Sequence, residues 1–227
     1  MKYRQLVLAL VMGWLLPGSP AFGADETDTS RRTKELAAEA QALESELNAG
    51  AEALEGRSRR FEYSLRLIDI RGKLEQVRAE EELLKKVTAK TVPPAVKKDV
   101  AVARLTIQAR TAKQRAERLQ DEAKKKPADV SLALDLINAV HDERQLTEER
   151  NALRESKDGP DSKGFRVKRL QIQADSLRAR LDAVRKRRDD EKDERGRALL
   201  AEKIQSLEAQ LERTKAEREA LEGGDKR

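Results

Sequence analysis

Three basic clusters are the residues of this chain best suited to hold a ligand: Arg57, Arg59 and Arg60; Lys124, Lys125 and Lys126; and Arg185, Lys186, Arg187 and Arg188. Grouped guanidinium and ammonium side chains bind carboxylates and phosphates. In a helical chain folded back on itself the three clusters fall at neighbouring heights, which predicts a positive belt near the middle and an anionic partner. The opposing consideration is that charge runs on exposed helices are ordinary and are balanced by nearby acids. Aromatic side chains of the kind that stack on bases are not interleaved with these clusters, so nucleic acid is not the expected partner.

The remaining polar groups point to no reaction. His141 is the only histidine and there is no cysteine, so the ligand set of a zinc-type site cannot be assembled, and neither metal nor cofactor is expected. Serine- or cysteine-based nucleophilic chemistry needs a buried pocket, which thin apolar seams do not provide. Asp189, Asp190, Glu191, Asp193 and Glu194 spread round a helix, with Glu191 spaced to pair with Arg195 and Asp193 with Arg197. Gly159 and Gly164 lack the strand, the lysine and the Ser or Thr of a phosphate-binding loop. The expectation is a protein that is not an enzyme.

Of the residues, 40% are charged and 3% aromatic, and the mean hydropathy is −0.79. A compact globular core uses more large apolar side chains than that; long helices with a narrow apolar seam do not. The first 23 residues differ: Lys2 and Arg4 precede the apolar run Leu6–Leu16, then Pro17 to Pro20 and the small-residue site Ala21-Phe22-Gly23. This is the pattern of a secretory signal peptide cut between Gly23 and Ala24, and the run is too short to span a bilayer. With no cysteine there is no disulfide and no lipidated residue at the cut. Removing Lys2 and Arg4 lowers the formal charge from +6 to about +4. An exported, periplasmic protein is expected.

The mature chain divides by its helix breakers. A short acidic lead, 24–29, precedes a long helix, 30–92, in which Leu36, Ala40, Leu43, Leu47 and Leu54 keep heptad spacing and Gly50 and Gly56 weaken residues 50–60. Pro93-Pro94 ends it. A second helical segment, 93–156, is broken near Pro127, where Lys124–Lys126 suit a helix C-terminus and a turn is preferred to a kink. Residues 157–164 form a Gly/Pro loop. The third segment, 165–222, has no proline; as one helix of about 58 residues it would span ~87 Å. Its seam changes face between Val184 and Leu200, and its ion pairs favour a continuous helix through Gly196. Residues 223–227 are a polar tail. The three segments are of similar length, with weak points at Gly56, Pro127 and Gly196, but no sequence similarity marks an internal repeat.

The fold expected is all-α: an elongated antiparallel coiled-coil or helical-hairpin rod of long helices behind a signal peptide. In composition and period the chain is similar to periplasmic coiled-coil proteins as a broad group. The function expected is that of an exported structural or adaptor protein of the cell envelope. Its heptad seams would engage protein partners or a second copy, and an anionic envelope component would meet the basic clusters. The second class is a periplasmic holdase chaperone with helical arms, although no compact β body to carry such arms is legible.

Overall fold

A computed structural model describes residues 26–52, 60–87 and 92–223. The expected signal peptide, Gly56, Arg57, Arg59 and the tail 224–227 lie outside the described residues. Six helices follow one another: α1 (Glu26–Glu52), α2 (Arg60–Lys85), α3 (Pro94–Lys125), α4 (Val130–Glu155), α5 (Lys163–Asp190) and α6 (Glu194–Gly223). They are 26 to 32 residues long, or ~39–48 Å at 1.5 Å per residue. Each runs antiparallel to the one before and packs chiefly on its sequence neighbours, most extensively α3 on α4 and α5 on α6, and least among sequential pairs α4 on α5. None of the described helices is long and apolar enough to cross a membrane.

Local sequence explains the helix starts. Pro94 takes the first position of α3, where its missing N–H costs nothing. Asp129 caps α4 by accepting from the Leu132 N–H at 3.0 Å, and Ser162 caps α5 by accepting from the Phe165 N–H at 3.2 Å. Apolar side chains meet where three helices come together. Leu36, Ala40, Leu74, Val77 and Leu84 join α1 to α2, with Val96 of α3 against them. Leu119, Leu132 and Ala139 meet Phe61 and Leu65 across α2, α3 and α4. Val130, Leu181, Val184, Leu200, Ile204 and Leu207 join α4, α5 and α6.

The closing segment is not one helix. Residues 191–193 turn the chain back, so α5 and α6 form a hairpin. The acids expected to pair along a helix build the turn instead. Glu191 pairs with Arg187 at 2.7 Å, and its Oε1 accepts from the Lys192 and Asp193 N–H groups. Asp193 Oδ2 accepts from the Gly196 N–H at 2.7 Å, the bond of a helix N-cap. The phase break between Val184 and Leu200 is this turn: both side chains are fully buried in one core from opposite arms of the hairpin. Pro127 likewise lies in a turn between α3 and α4. Instead of three helical segments of about 60 residues, the described chain holds helices of half that length.

Two hairpins carry matching residues along their seams, although no similarity extends over their whole length. Glu80 and Leu84 of α2 answer to Glu149 and Leu153 of α4, 69 residues on, and at the same offset Ser64-Leu-Arg-Leu-Ile-Asp69 answers to Ala133-Leu-Asp-Leu-Ile-Asn138. Arg104-Leu-Thr-Ile-Gln-Ala109 of α3 answers to Arg169-Leu-Gln-Ile-Gln-Ala174 of α5, 65 residues on. All four side chains buried on α3 (Val100, Ile107, Ala109 and Leu119) fall on buried ones of α5 (Phe165, Ile172, Ala174 and Val184).

Candidate functional site

The alternating helices put the turns around 126–129 and 191–193 at one end of the array, where α2 also begins. The two turns adjoin: a Cβ on Gly196 would lie 3.0 Å from Val130 Cγ2. Two of the basic clusters therefore share an end of the molecule, not the middle of a rod, and Arg60 opens α2 at that same end. Most of their charges are already matched. Lys124 pairs with Asp121 at 3.3 Å, and Lys125 and Lys126 pair with Glu122 at 3.2 and 2.9 Å. Hydrogen bonds, from Lys126 first and then Lys125, hold the Glu122 carboxyl below its ordinary range, and the bond to Glu122 raises Lys126. Arg185 reaches Glu208 of α6 at 2.7 Å, Arg187 holds Glu191, and Arg188 pairs with Asp189 at 2.9 Å. Lys186 is exposed.

The polar groups taken furthest from water lie elsewhere. Glu80 and Glu149 are each 2% exposed, deep in the seams between α2 and α3 and between α4 and α5. A buried carboxylate needs partners, and each has them. Arg104 of α3 bonds Glu80 Oε2, and Arg32 of α1 bonds Oε1 at 3.4 Å. Beside them Gln108 donates to Gln76 at 3.1 Å. In the second unit Arg169 of α5 donates to Glu149 Oε2 at 3.1 Å, and Gln145 donates to Oε1 at 2.8 Å. Gln173 also bonds the carboxyl, and burial outweighs these contacts, pushing Glu149 above the usual carboxylate range. Each clasp is thus a Gln-x-x-x-Glu pair on one helix facing an Arg-x-x-x-Gln pair on the next. Nothing in either pair, read alone, separates it from the other charged helix residues; the signal is the repetition of both.

His141 stands on α4 where α2 has Gly72, and Ser176 on α5 where α3 has Thr111. Burial, then the Arg180 and Arg144 charges, lowers the imidazole below its ordinary value against the pull of Asp142. Arg180 donates to Asp142 Oδ1 at 2.6 Å and to Gln145 at 3.2 Å. The Ser176 Oγ is buried without a hydrogen-bond partner. A groove of about 210 Å³ lies over Glu80, lined among others by Arg32, Lys73, Gln76 and Arg104. Its two arginines are already engaged with the carboxylate. No group of three or more His, Asp or Glu side chains among the described residues converges as a metal site. The arrangement positions helices against one another. No family model matches the chain, and no curated protein or solved structure matches it either.

Proposed function

We propose that this is an exported structural or adaptor protein of the cell envelope. It acts through protein–protein contacts along an elongated, coiled-coil-like ribbon of helices, with self-association and an anionic envelope component among its contacts. One observation carries the reading: the buried side chains, apolar and polar alike, serve the helix seams, while the outer flanks of the helices stay long and charged. The basic start and apolar run at the amino terminus support export. Large apolar side chains exposed among the described residues are Val140 and Leu199, a sparse surface for unfolded clients, which weighs against the holdase alternative.

Crosslinking in the native envelope tests the reading, together with mass spectrometry of the amino terminus. One or two recurrent partners, on a chain beginning at or near Ala24, support it. Met1 retained on soluble cytoplasmic protein overturns it. Broad suppression of aggregation of denatured clients, without recurrent partners, replaces it with the holdase.

A further inference from the structure

Where α4 meets α5 the repeated hairpin departs from its first version in two ways, and both concern protons. The first version closes its seam with Gly72, so near Thr111 that an added Cβ would come 2.9 Å from the Thr111 Cγ2. The second holds His141 at that place, beside Arg144 and Arg180. The first version sets two guanidiniums on its buried glutamate; the second sets one, Arg169, whose side chain is 51% exposed, and two amides. This seam is also the least extensive of those between sequential helices.

We propose that the α4–α5 seam is a proton-sensitive joint, loosened when His141 gains a charge among arginines and tightened when Glu149 loses one. The surroundings of both groups support this. Around His141, Asp142 is the facing acid and is already bonded to Arg180. Lys98 donates to the Arg154 carbonyl at the end of α4, and this register sets residues 109–116 of α3 opposite His141. Of the cations there, Arg110 pairs with Glu75, Arg115 with Asp69, and Lys113 is exposed. Around Glu149, the facing cation of α5 is Arg169. On the α3 side Arg104 is bonded to Glu80, Lys98 caps α4 and Asp99 is exposed. Along α4 itself, Glu148 pairs with Arg144 and Arg150 bonds Asn151.

The signs of the two groups oppose. A base held below its unfolded value weakens the folded state as pH falls through that unfolded value, about 6.5 for histidine. An acid held above its unfolded value strengthens the folded state as pH falls through its raised value toward the ordinary carboxylate range. The joint therefore has a stability minimum on the acid side of neutrality. Asp69, raised by burial against the pull of Arg115, titrates in the other seam, and Asp135, raised first by burial, titrates near the start of α4. A whole-protein melt therefore mixes them, and a local readout on residues 139–155 and the facing part of α5 is needed.

Amide hydrogen exchange on the full chain supplies it, followed in peptides from α4 and α5, corrected for intrinsic rate, with α6 peptides as reference. In the parent, protection across α4–α5 should fall by roughly threefold between about pH 7.5 and pH 6, then recover as pH falls on toward the ordinary carboxylate range. His141→Gln should remove the fall. Glu149→Gln should remove the recovery and raise protection near neutral pH. A flat parental profile in these peptides overturns the proposal whether or not either variant folds. So does a response that survives in both folded variants.

Discussion

The α2–α3 hairpin and the α4–α5 hairpin share part of their inward face, most fully on α3 and α5, and little of their outward one. The four positions buried on α3 are buried on α5 as well, and Ile70, Glu80 and Leu84 of α2 match buried Ala139, Glu149 and Leu153 of α4. Both hairpins seat a carboxylate between a glutamine pair and an arginine. Their exposed positions share little: Arg71, Glu75 and Arg78 of α2 stand where α4 has Val140, Arg144 and Thr147. The difference teaches which residues specify the fold. A repeated helix pair needs its interior volume and its register fixed, while its solvent face is free to change. Within the seams the two differ in tightness. In the first, α1 supplies Arg32 to the buried glutamate and Gly72 lets α2 approach α3; in the second, the buried glutamate has a single arginine, and His141 stands in the glycine's place.

The largest effect should come from emptying the shared interior. Leu119→Ala should cost about 2–5 kcal/mol, and Val184→Ala less by about one methylene, ~1 kcal/mol. Chemical denaturation of both variants checks this, and equal losses would break the equivalence of the two positions. Gly72 should tolerate far less than its counterpart. Gly72→Ala forces Thr111 aside and should cost ~1–2 kcal/mol after the gain in helix propensity, with Thr111→Ala recovering much of it. His141→Ala should stay within ~1 kcal/mol. A stabilised Gly72→Ala variant would mean that the seam has room.

The clasps should respond with opposite signs. Glu80→Gln leaves Arg32 and Arg104 without a shared anion. Because both arginines are about a third exposed they can turn to water, and the loss should be ~1–2 kcal/mol, less than for a sealed pair. Glu149→Gln removes a buried charge from a site rich in amide partners and should be neutral or mildly stabilising near pH 7. Melts at that pH distinguish the two. The smallest effect concerns the last turn. A continuous helix would make Gly196→Ala stabilising, but in the hairpin the new methyl presses on Val130 and Glu191, and a loss of ~0.5 kcal/mol is expected. Asp193→Ala, which removes the cap bond, should cost ~1 kcal/mol.

Helical class, the break at Pro93-Pro94, the turn at Pro127 and a loop around Gly159-Pro160 were legible, because proline and glycine punctuate a chain unambiguously. The loop expected over 157–164 ends at Ser162, however, and Lys163 and Gly164 already belong to α5. The turn at 191–193 was not legible, because it contains neither proline nor glycine: it is written in Glu, Lys and Asp, which also make good helix flanks. Its signals were there in another form. Arg187 and Arg188 close one helix and Asp193 with Glu194 opens the next, the charge order that two consecutive helix dipoles favour. The repeat escaped because its offset shifts from 69 to 65 residues across the α2–α3 connection, so no fixed period exposes it. The basic clusters were found but not their place, since their height depends on how many times the chain folds back. The clasps were invisible one residue at a time: Glu80 and Glu149 are two acids among 42 in the chain.

Because each helix packs almost wholly on its neighbours in sequence, the contacts that stabilise this chain are closed over short loops. Loop closure is then cheap at every step, the order of folding need not be fixed in advance, and rates at the fast end for a chain of this size are expected. A hairpin such as α3–α4 can form before α5 has arrived, as in other linear arrays of helices. Such a chain is suited to being delivered end first, from a ribosome or through a membrane pore, acquiring structure in the order in which it emerges.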